Sequence, residues 1–164
     1  MPNTKTILVG TDFSKFSRRA ERSAGMLGAI LSCDSIELLT VKEAGLPDAL
    51  AVLRKSTPAV AEAVLADRTL GELRLTCGQL EDNYGIPCTS SVKFGRPEQE
   101  IVARAEELSA TLTVIGAHGG NLLIDLFLGN TADKVARMSK TPVLLVRNEA
   151  AQPYRQVLIP VDFS

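Results

Sequence analysis

The 164-residue sequence is long enough for one domain with a sizeable core, and 45% hydrophobic and 23% charged residues are ordinary for a globular protein. The formal net charge is −1 and the basic residues are scattered, which argues against nucleic acid or an anionic membrane surface as a partner. No apolar run approaches the roughly 18 residues that a membrane span needs.

The first part of the sequence alternates apolar strands with helices. Residues 6–11 (TILVGT) form an apolar run typical of a strand buried on both faces, and Ser14 is a suitable N-cap for the next helix. That helix should bury an apolar stripe and expose a charged one, with Ala20, Ala24, Leu27 and Leu31 inside and Arg18, Arg19, Glu21 and Arg22 outside. A second strand is predicted over residues 36–41. Residues 42–56 predict a loop, with a weak helical signal over 48–55.

A long helix is predicted next, because Thr57 can cap it and Pro58 suits its first position, and Gly85 should end it. Its inward stripe repeats at intervals of three and four: Ala63, Ala66, Leu70, Leu73, Cys77, Leu80 and Tyr84. Residues 87–94 predict a less apolar strand near a sheet edge. Residues 95–97 then start a helix with Ile101, Ala105 and Leu108 facing inward.

A strand over 112–115, a helix over about 131–138 and a strand over 142–146 complete the alternation. Strands that alternate with helices predict a parallel sheet with right-handed crossovers and helices on both faces.

Two glycine turns are coupled at the end of this series. The strand over 112–115 leads into Gly116, His118 and Gly119, and nine residues separate Gly119 from a second turn, Gly129-Asn130-Thr131, which opens a helix. Glycine lets backbone approach an anion closely, and the free N–H groups of a helix N-terminus point at the same place. No Gly-Lys-Ser/Thr follows, so the pattern is not a P-loop. It predicts a phosphate cradle.

The spacing Gly116-x2-Gly119-x9-Gly129, with Ala132-Asp133-Lys134-Val135 and the run over 142–147, resembles the universal stress protein family over residues 4–147. The resemblance implies an open, doubly wound, Rossmann-like α/β fold with five parallel strands in the order 3-2-1-4-5. It also implies ATP as the ligand, with or without magnesium. In the nucleotide-binding branch, Ser or Thr usually follows the second glycine. Here Asn130 stands there, and its amide can still cap the helix and donate to an anion.

The resemblance places the site where the strand order reverses, between strands 1 and 4. The backbone of Val41 is expected at the adenine edge, and the other expected site residues are Gly10, Thr11, Asp12, Phe13, Ile115, Gly116, His118, Gly119, Gly129, Asn130 and Thr131. Alternatives stay open. Asp12 could accept ribose hydroxyls or cap the following helix, Val41 could simply pack in the core, and the glycines could form tight turns without a ligand.

Catalysis has little support in the sequence. His118 is the only histidine, and no serine, cysteine or carboxylate is placed by motif to pair with it, so we expect it to line the ligand or support its turn. No catalytic or metal-binding residue is assigned. The favoured function is an ATP-binding sensor or switch of the stress response, and the alternatives are an interaction module without nucleotide and a slow ATPase. The ATPase is the weakest, because phosphoryl transfer needs cations around the phosphate and only Lys134 lies near in sequence.

The cysteines Cys33, Cys77 and Cys88 have no metal-ligand spacing. Their odd number and the lack of a signal-like N-terminus predict free thiols in a reducing compartment. We therefore expect a cytoplasmic protein.

The last ten residues, 155–164 (RQVLIPVDFS), repeat residues 5–14 (KTILVGTDFS) at an offset of 150. We expect a domain over 1–147, a linker over 148–154, and the first strand of a truncated second repeat over 155–164; chance similarity between two buried strands is the alternative. The strand Val143 to Val146 would then lie at a sheet edge. There it is expected to pair with another copy in a homodimer, or with the second domain in a pseudo-dimer.

Overall fold

The structure is a computed structural model that describes residues 4–43, 58–117, 129–148, 153–156 and 158–159. Strands and helices alternate along these residues: β1 (Thr6–Gly10), α1 (Lys15–Leu31), β2 (Ser35–Lys42), α2 (Pro58–Tyr84), β3 (Cys88–Phe94), α3 (Pro97–Glu107), β4 (Leu112–Gly116), α4 (Asn130–Met138) and β5 (Val143–Val146). The weak helical signal over 48–55 lies outside the described residues.

The five strands form one sheet in the order β3-β2-β1-β4-β5, and every neighbouring pair is parallel. The predicted order is confirmed, and so is the position of β3 at an edge. The chain moves from β1 outward to β2 and β3, then returns to the other side of β1 with β4 and β5. The carboxyl ends of β1 and β4 therefore diverge at the point where ligands bind in open α/β sheets.

The strands are buried on both faces, as their apolar runs predict. Ile7 and Val9 pack with side chains of α1 and α2 on one face. Leu8, between them, packs with side chains of α3 and α4 on the other. All three are fully buried, as expected for a central strand covered by helices on both sides.

One buried charge interrupts this apolar pattern. Glu37 lies in β2 and is 5% exposed, and Arg104 of α3 donates to it from two nitrogens, to Oε1 at 2.8 Å and to Oε2 at 2.9 Å. Ser91 of β3 donates to Oε1 at 2.7 Å. The bond to Glu37, with a further one to Glu107, raises the pKa of Arg104. Two adjacent strands and the helix above them are thus joined through one carboxylate.

Helix α1 begins after the predicted N-cap, since Ser14 Oγ accepts from the backbone N–H of Ser17. Its buried face differs from the prediction: Glu21 is buried, whereas Leu31 is 44% exposed. Glu21 accepts from Thr11 Oγ1, and small residues of α1 pack closely on the same side. A Cβ on Gly28 would lie 2.7 Å from Ile86 Cδ1, so only a residue without a side chain fits at this contact. A prediction based on large apolar side chains does not identify such small residues as part of the buried face.

Helix α2 runs from Pro58 to Tyr84, and Gly85 follows it with a left-handed φ of 68°. Leu73, Cys77 and Leu80 are buried as predicted, but Ala63 is exposed. A helix of 27 residues is about 40 Å long, whereas the eight residues of β2 span about 26 Å. The first turns of α2 therefore extend beyond the sheet.

Residues 153–156, 158 and 159 lie in neither a helix nor a strand, and Leu158 and Ile159 are exposed. Most of the repeat over 155–164 falls outside the described residues, so the second domain stays a prediction. No disulfide joins the three cysteines. None of the described helices combines the length and apolar character that a membrane crossing requires.

Candidate functional site

A cavity of about 460 Å³ opens where the carboxyl ends of β1, β2 and β4 meet the first turns of α3 and α4. Nine of the twelve predicted site residues line it: Gly10, Thr11, Asp12, Val41, Ile115, Gly116, Gly129, Asn130 and Thr131. Their contacts with a ligand stay a prediction. His118 and Gly119 lie outside the described residues, and Phe13 is not among the described residues that line the cavity.

One side of the cavity is apolar. Leu39 and Val41 contribute it from β2, and Pro97 and Ile101 from α3. Gly10 permits this arrangement, because a Cβ there would lie 2.9 Å from Ile115 Cγ2 and 3.2 Å from Ile101 Cδ1. The half-buried Val41 also packs against the apolar cluster of this face, so its core role and its place on the cavity wall coexist.

The loop between β1 and α1 is held by its own hydrogen bonds. Thr11 Oγ1 accepts from the backbone N–H of Phe13 at 3.2 Å, and Asp12 Oδ1 accepts from the N–H of Ser14 at 3.0 Å. Ser14, not Asp12, caps the helix. Asp12 is exposed at the cavity and its Oδ2 has no hydrogen bond to any described residue, so one carboxylate oxygen faces solvent.

The hydroxyl of Thr11 is directed into the protein. It donates to Glu21 Oε1 at 2.6 Å, while the backbone O of Thr11 accepts from Thr40 Oγ1 at 2.9 Å. Burial raises the pKa of Glu21, and the hydrogen bond from Thr11 opposes that effect. The Thr11 proton is therefore committed to Glu21, which favours Asp12 over Thr11 as the polar group for a ligand.

Two of the predicted residues have structural roles that explain their identity. Phe13 has a left-handed φ of 63°, and its side chain packs against the apolar cluster under α1 and α2. A Cβ on Gly116 would lie 2.8 Å from the backbone C of Phe16. The first turn of α1 thus crosses the end of β4 so closely that only glycine fits there.

The N-terminus of α4 forms the polar end of the cavity. Gly129 is the N-cap, its O accepts from the N–H of Asp133 at 2.9 Å, and its N–H donates to Ala117 O at 2.7 Å. Asn130, whose amide could have capped the helix, does not do so: the helix begins one residue earlier than predicted and Asn130 is its first residue. The N–H groups of Asn130, Thr131 and Ala132 make no hydrogen bond to the described residues, and these three residues line the cavity.

The cation nearest in sequence to this end, Lys134, is already paired. Lys134 of α4 donates to Glu98 Oε1 of α3 at 3.0 Å. This ion pair joins the two helices that form one side of the cavity mouth. It also lowers the pKa of Glu98, for which the bond from its own backbone is the larger cause.

Five residues on the wall are not predicted from the sequence: Ser17, Leu39, Pro97, Ile101 and Ala132. Leu39 could have been found from the parallel register, since it lies opposite Gly10. Pro97 and Ile101 belong to the helix after an edge strand, and only the crossover brings that helix over the end of β2. No local signal marks them.

Comparison with known proteins agrees with this architecture. The model of the universal stress protein family matches residues 3–147. Universal stress protein Rv2623 of Mycobacterium tuberculosis is 26% identical over 147 residues, which are 89% of this chain and 46% of that protein. The chain thus spans about half the length of this relative.

Two solved structures are similar. Protein MJ0577 of Methanocaldococcus jannaschii has a TM-score of 0.74 at 25% identity, over 90% of this chain and 99% of that one. A universal stress protein solved in complex with cAMP has a TM-score of 0.63 at 26% identity, over 89% of this chain and 98% of that one. The resemblance seen in the glycine spacing is confirmed, and the chain belongs to the universal stress protein family.

Proposed function

We propose that the protein binds an adenine nucleotide, ATP first among them, in the cavity at the ends of β1, β2 and β4, and acts through it as a sensor or switch of the stress response. One observation carries the proposal: a single cavity joins an apolar slot to the open N-terminus of a helix. A nucleotide has the same division into an apolar base and an anionic phosphate end.

The apolar slot suits the base. Val41 of β2 and Pro97 and Ile101 of α3 supply its apolar surface. The volume of about 460 Å³ falls in the range of small-molecule sites. A similar protein was solved in complex with cAMP, an adenine nucleotide, which supports an adenine nucleotide as the ligand class.

The N-terminus of α4 suits the phosphates. Asn130, Thr131 and Ala132 are the first three residues of the helix, so their N–H groups point out of its N-terminus. The helix dipole favours negative charge there. In our proposal Gly116, His118 and Gly119 also bind these phosphates, and magnesium accompanies them. Because these groups address phosphate, we expect ATP to bind more tightly than adenosine.

Calorimetric titration tests this order directly. ATP with magnesium should bind at least about fivefold more tightly than adenosine, corresponding to about 1 kcal/mol from the helix N-terminus. Equal affinities would contradict a phosphate-binding role for α4. No heat with any adenine compound would contradict the proposal as a whole.

Asn130→Asp provides a sharper test, because it changes charge and not size. A carboxylate at the first helical position suits the dipole, so the fold should keep its stability. The new carboxylate should repel the phosphates by about 1 kcal/mol, the energy of two charges about 4 Å apart in water. The affinity for ATP should therefore fall about fivefold. Adenosine should bind as before. The control is Gln79→Glu, at an exposed position of α2 on the other face of the sheet.

A second candidate is an interaction module that binds no nucleotide. The specific observation in its favour is that packing alone explains Gly10 and Gly116. An interaction module should give no heat in the titration with adenine compounds, and the purified protein should release no adenine nucleotide when it is denatured. An ATPase is less well supported, because Lys134 is paired with Glu98.

We also propose that the protein self-associates through the outer edge of β5, with which no described strand pairs. The carbonyls of Pro142 and Val146 accept from β4, so alternate residues Val143 and Leu145 direct their N–H groups away from the sheet. Hydrogen exchange followed by NMR distinguishes the states. In a dimer paired through β5, the amides of Val143 and Leu145 are protected like that of Leu144. If they exchange freely in a sample that light scattering shows to be dimeric, another surface forms the dimer.

A further inference from the structure

Two of the three cysteines meet at the edge of the sheet farthest from β5. Cys77 lies in α2, and Cys88 is the first residue of β3, after the turn that begins at Gly85. Their Sγ atoms are 2.7 Å apart. A disulfide is about 2.05 Å long, so a movement of about 0.7 Å would bring the sulfurs to bonding distance.

The segment around the two sulfurs is well anchored. Cys77 Sγ also donates to the backbone O of Thr89 at 3.3 Å, and the N–H of Cys88 donates to Glu81 Oε1 at 2.7 Å. These bonds join α2 to β3 on both sides of the pair. The approach of the sulfurs therefore belongs to the packing of α2 on β3 and does not depend on two freely rotating side chains.

The two thiols are chemically unequal. The S–H of Cys88 donates to Cys77 Sγ, which lowers the pKa of Cys77 and raises the pKa of Cys88. Of the two thiols, Cys77 therefore loses its proton more readily, and that proton is the one it donates to Thr89 O in the reduced protein. Cys77 is 5% exposed, so only a small oxidant can reach it, whereas Cys88 is partly exposed. Cys33 has no such neighbour among the described residues, and burial raises its pKa.

We propose that Cys77 and Cys88 form a reversible dithiol–disulfide site that reacts with hydrogen peroxide. The Cys77 thiolate attacks one peroxide oxygen, the O–O bond breaks, and hydroxide leaves and takes up a proton, so Cys77 becomes a sulfenic acid. The sulfur of Cys88 then attacks Cys77 Sγ, the S–O bond breaks, and water leaves with the thiol proton of Cys88. In total, two thiols and one hydrogen peroxide give one disulfide and two water molecules, and a thiol reductant reverses the change.

The consequence is a covalent bond between α2 and the edge strand β3 in the oxidised protein. The disulfide would close a loop between positions 11 residues apart. Disulfides that form in reducing compartments are characteristically transient and redox-sensing. This site is independent of the nucleotide cavity, which lies at the carboxyl ends of the strands, whereas Cys88 begins β3.

Peptide mapping of the full-length protein tests the proposal. After treatment with hydrogen peroxide and alkylation of the remaining thiols, trypsin should release residues 75–93, with both cysteines, and residues 23–42, with Cys33. We expect peptide 75–93 to be unalkylated and about 2 Da lighter than the reduced peptide, and to be alkylated twice after treatment with dithiothreitol. Cys33 should stay alkylated throughout.

Two variants serve as controls. Cys33→Ser should form the disulfide as the wild type does. Cys88→Ser should accumulate a sulfenic acid at Cys77 or a mixed disulfide with added thiol, because it lacks the resolving sulfur. The proposal is wrong if peptide 75–93 of the wild type stays doubly alkylated at peroxide concentrations that oxidise Cys33, or if it passes to sulfonic acid without forming the disulfide.

Discussion

Replacing Arg104 by alanine should destabilise the protein strongly, although the residue lies on a helix surface. Among the described residues, Arg104 supplies two of the three side-chain hydrogen bonds to Glu37, and Ser91 supplies the third. The side chain of Glu37 is only 6% exposed. Without Arg104, the buried carboxylate loses its counter-ion and two of its hydrogen bonds.

The size of the effect follows from this burial. Breaking a buried ion pair by removing one partner costs about 3–5 kcal/mol. The side chain of Arg104 is 27% exposed, so water can replace part of it, and we expect about 3 kcal/mol, near the lower limit. With a urea m-value of about 2 kcal/mol/M, the unfolding midpoint should fall by about 1.5 M.

Urea unfolding followed by circular dichroism measures the change, with two matched variants. Arg137→Ala removes an arginine that also contacts a carboxylate, Asp133, but at an exposed position, and should leave the midpoint unchanged. Glu37→Gln in the Arg104→Ala background should recover most of the loss, because the amide oxygen still accepts from Ser91 and carries no charge. A loss below about 1 kcal/mol for Arg104→Ala, or a further loss on adding Glu37→Gln, would refute the reasoning.

Two other predictions concern the base of the cavity. Burial raises the pKa of Glu21 above its ordinary 4.5, so between the unfolded and the folded pKa the native state binds more protons and stability falls as pH rises. Glu21→Gln keeps an acceptor for Thr11 and does not titrate. As pH rises through that window, its free energy of unfolding should therefore increase relative to that of the wild type. A difference between the two proteins that does not change with pH in urea unfolding would contradict this. Gly116→Ala should cost about 1–3 kcal/mol in the same assay, because its Cβ would meet the backbone of Phe16. The control Gly71→Ala, with open space around it in α2, should stabilise by about 0.5–1 kcal/mol, and equal effects of the two changes would contradict the packing role of Gly116.

The sequence predicted the order and type of the described elements, because the strands are continuous apolar runs and the helices carry clear start and stop residues. It also identified most of the cavity, since glycines at the ends of parallel strands mark the place where the sheet order reverses. The strand order also predicts that Val143–Val146 lies at an edge of the sheet, and the structure has it there. These features are local or follow from topology.

The errors come from contacts between distant segments. Glu21 looks like part of a charged surface, and only the position of Thr11 shows why a carboxylate is buried there. Ala63 keeps the helical period but lies on turns that extend beyond the sheet. Asn130 is a good capping residue, yet the bond between Gly129 and Ala117 starts the helix one residue earlier. Sequence periodicity carries no information on helix length relative to the sheet or on loop-to-strand bonds.

The most direct measurement of the central claim is an NMR titration of the isotope-labelled protein with ATP and magnesium. Binding in the cavity should shift the amides of Val41, Asp12 and residues 129–132, and should leave those of Leu144 in β5 and Gln79 in α2 unchanged. Adenosine should shift Val41 and have a smaller effect on residues 129–132, because it has no phosphate to meet the helix N-terminus. Saturable binding with shifts confined to other surfaces, or no shifts at millimolar ATP, would contradict nucleotide binding at this site.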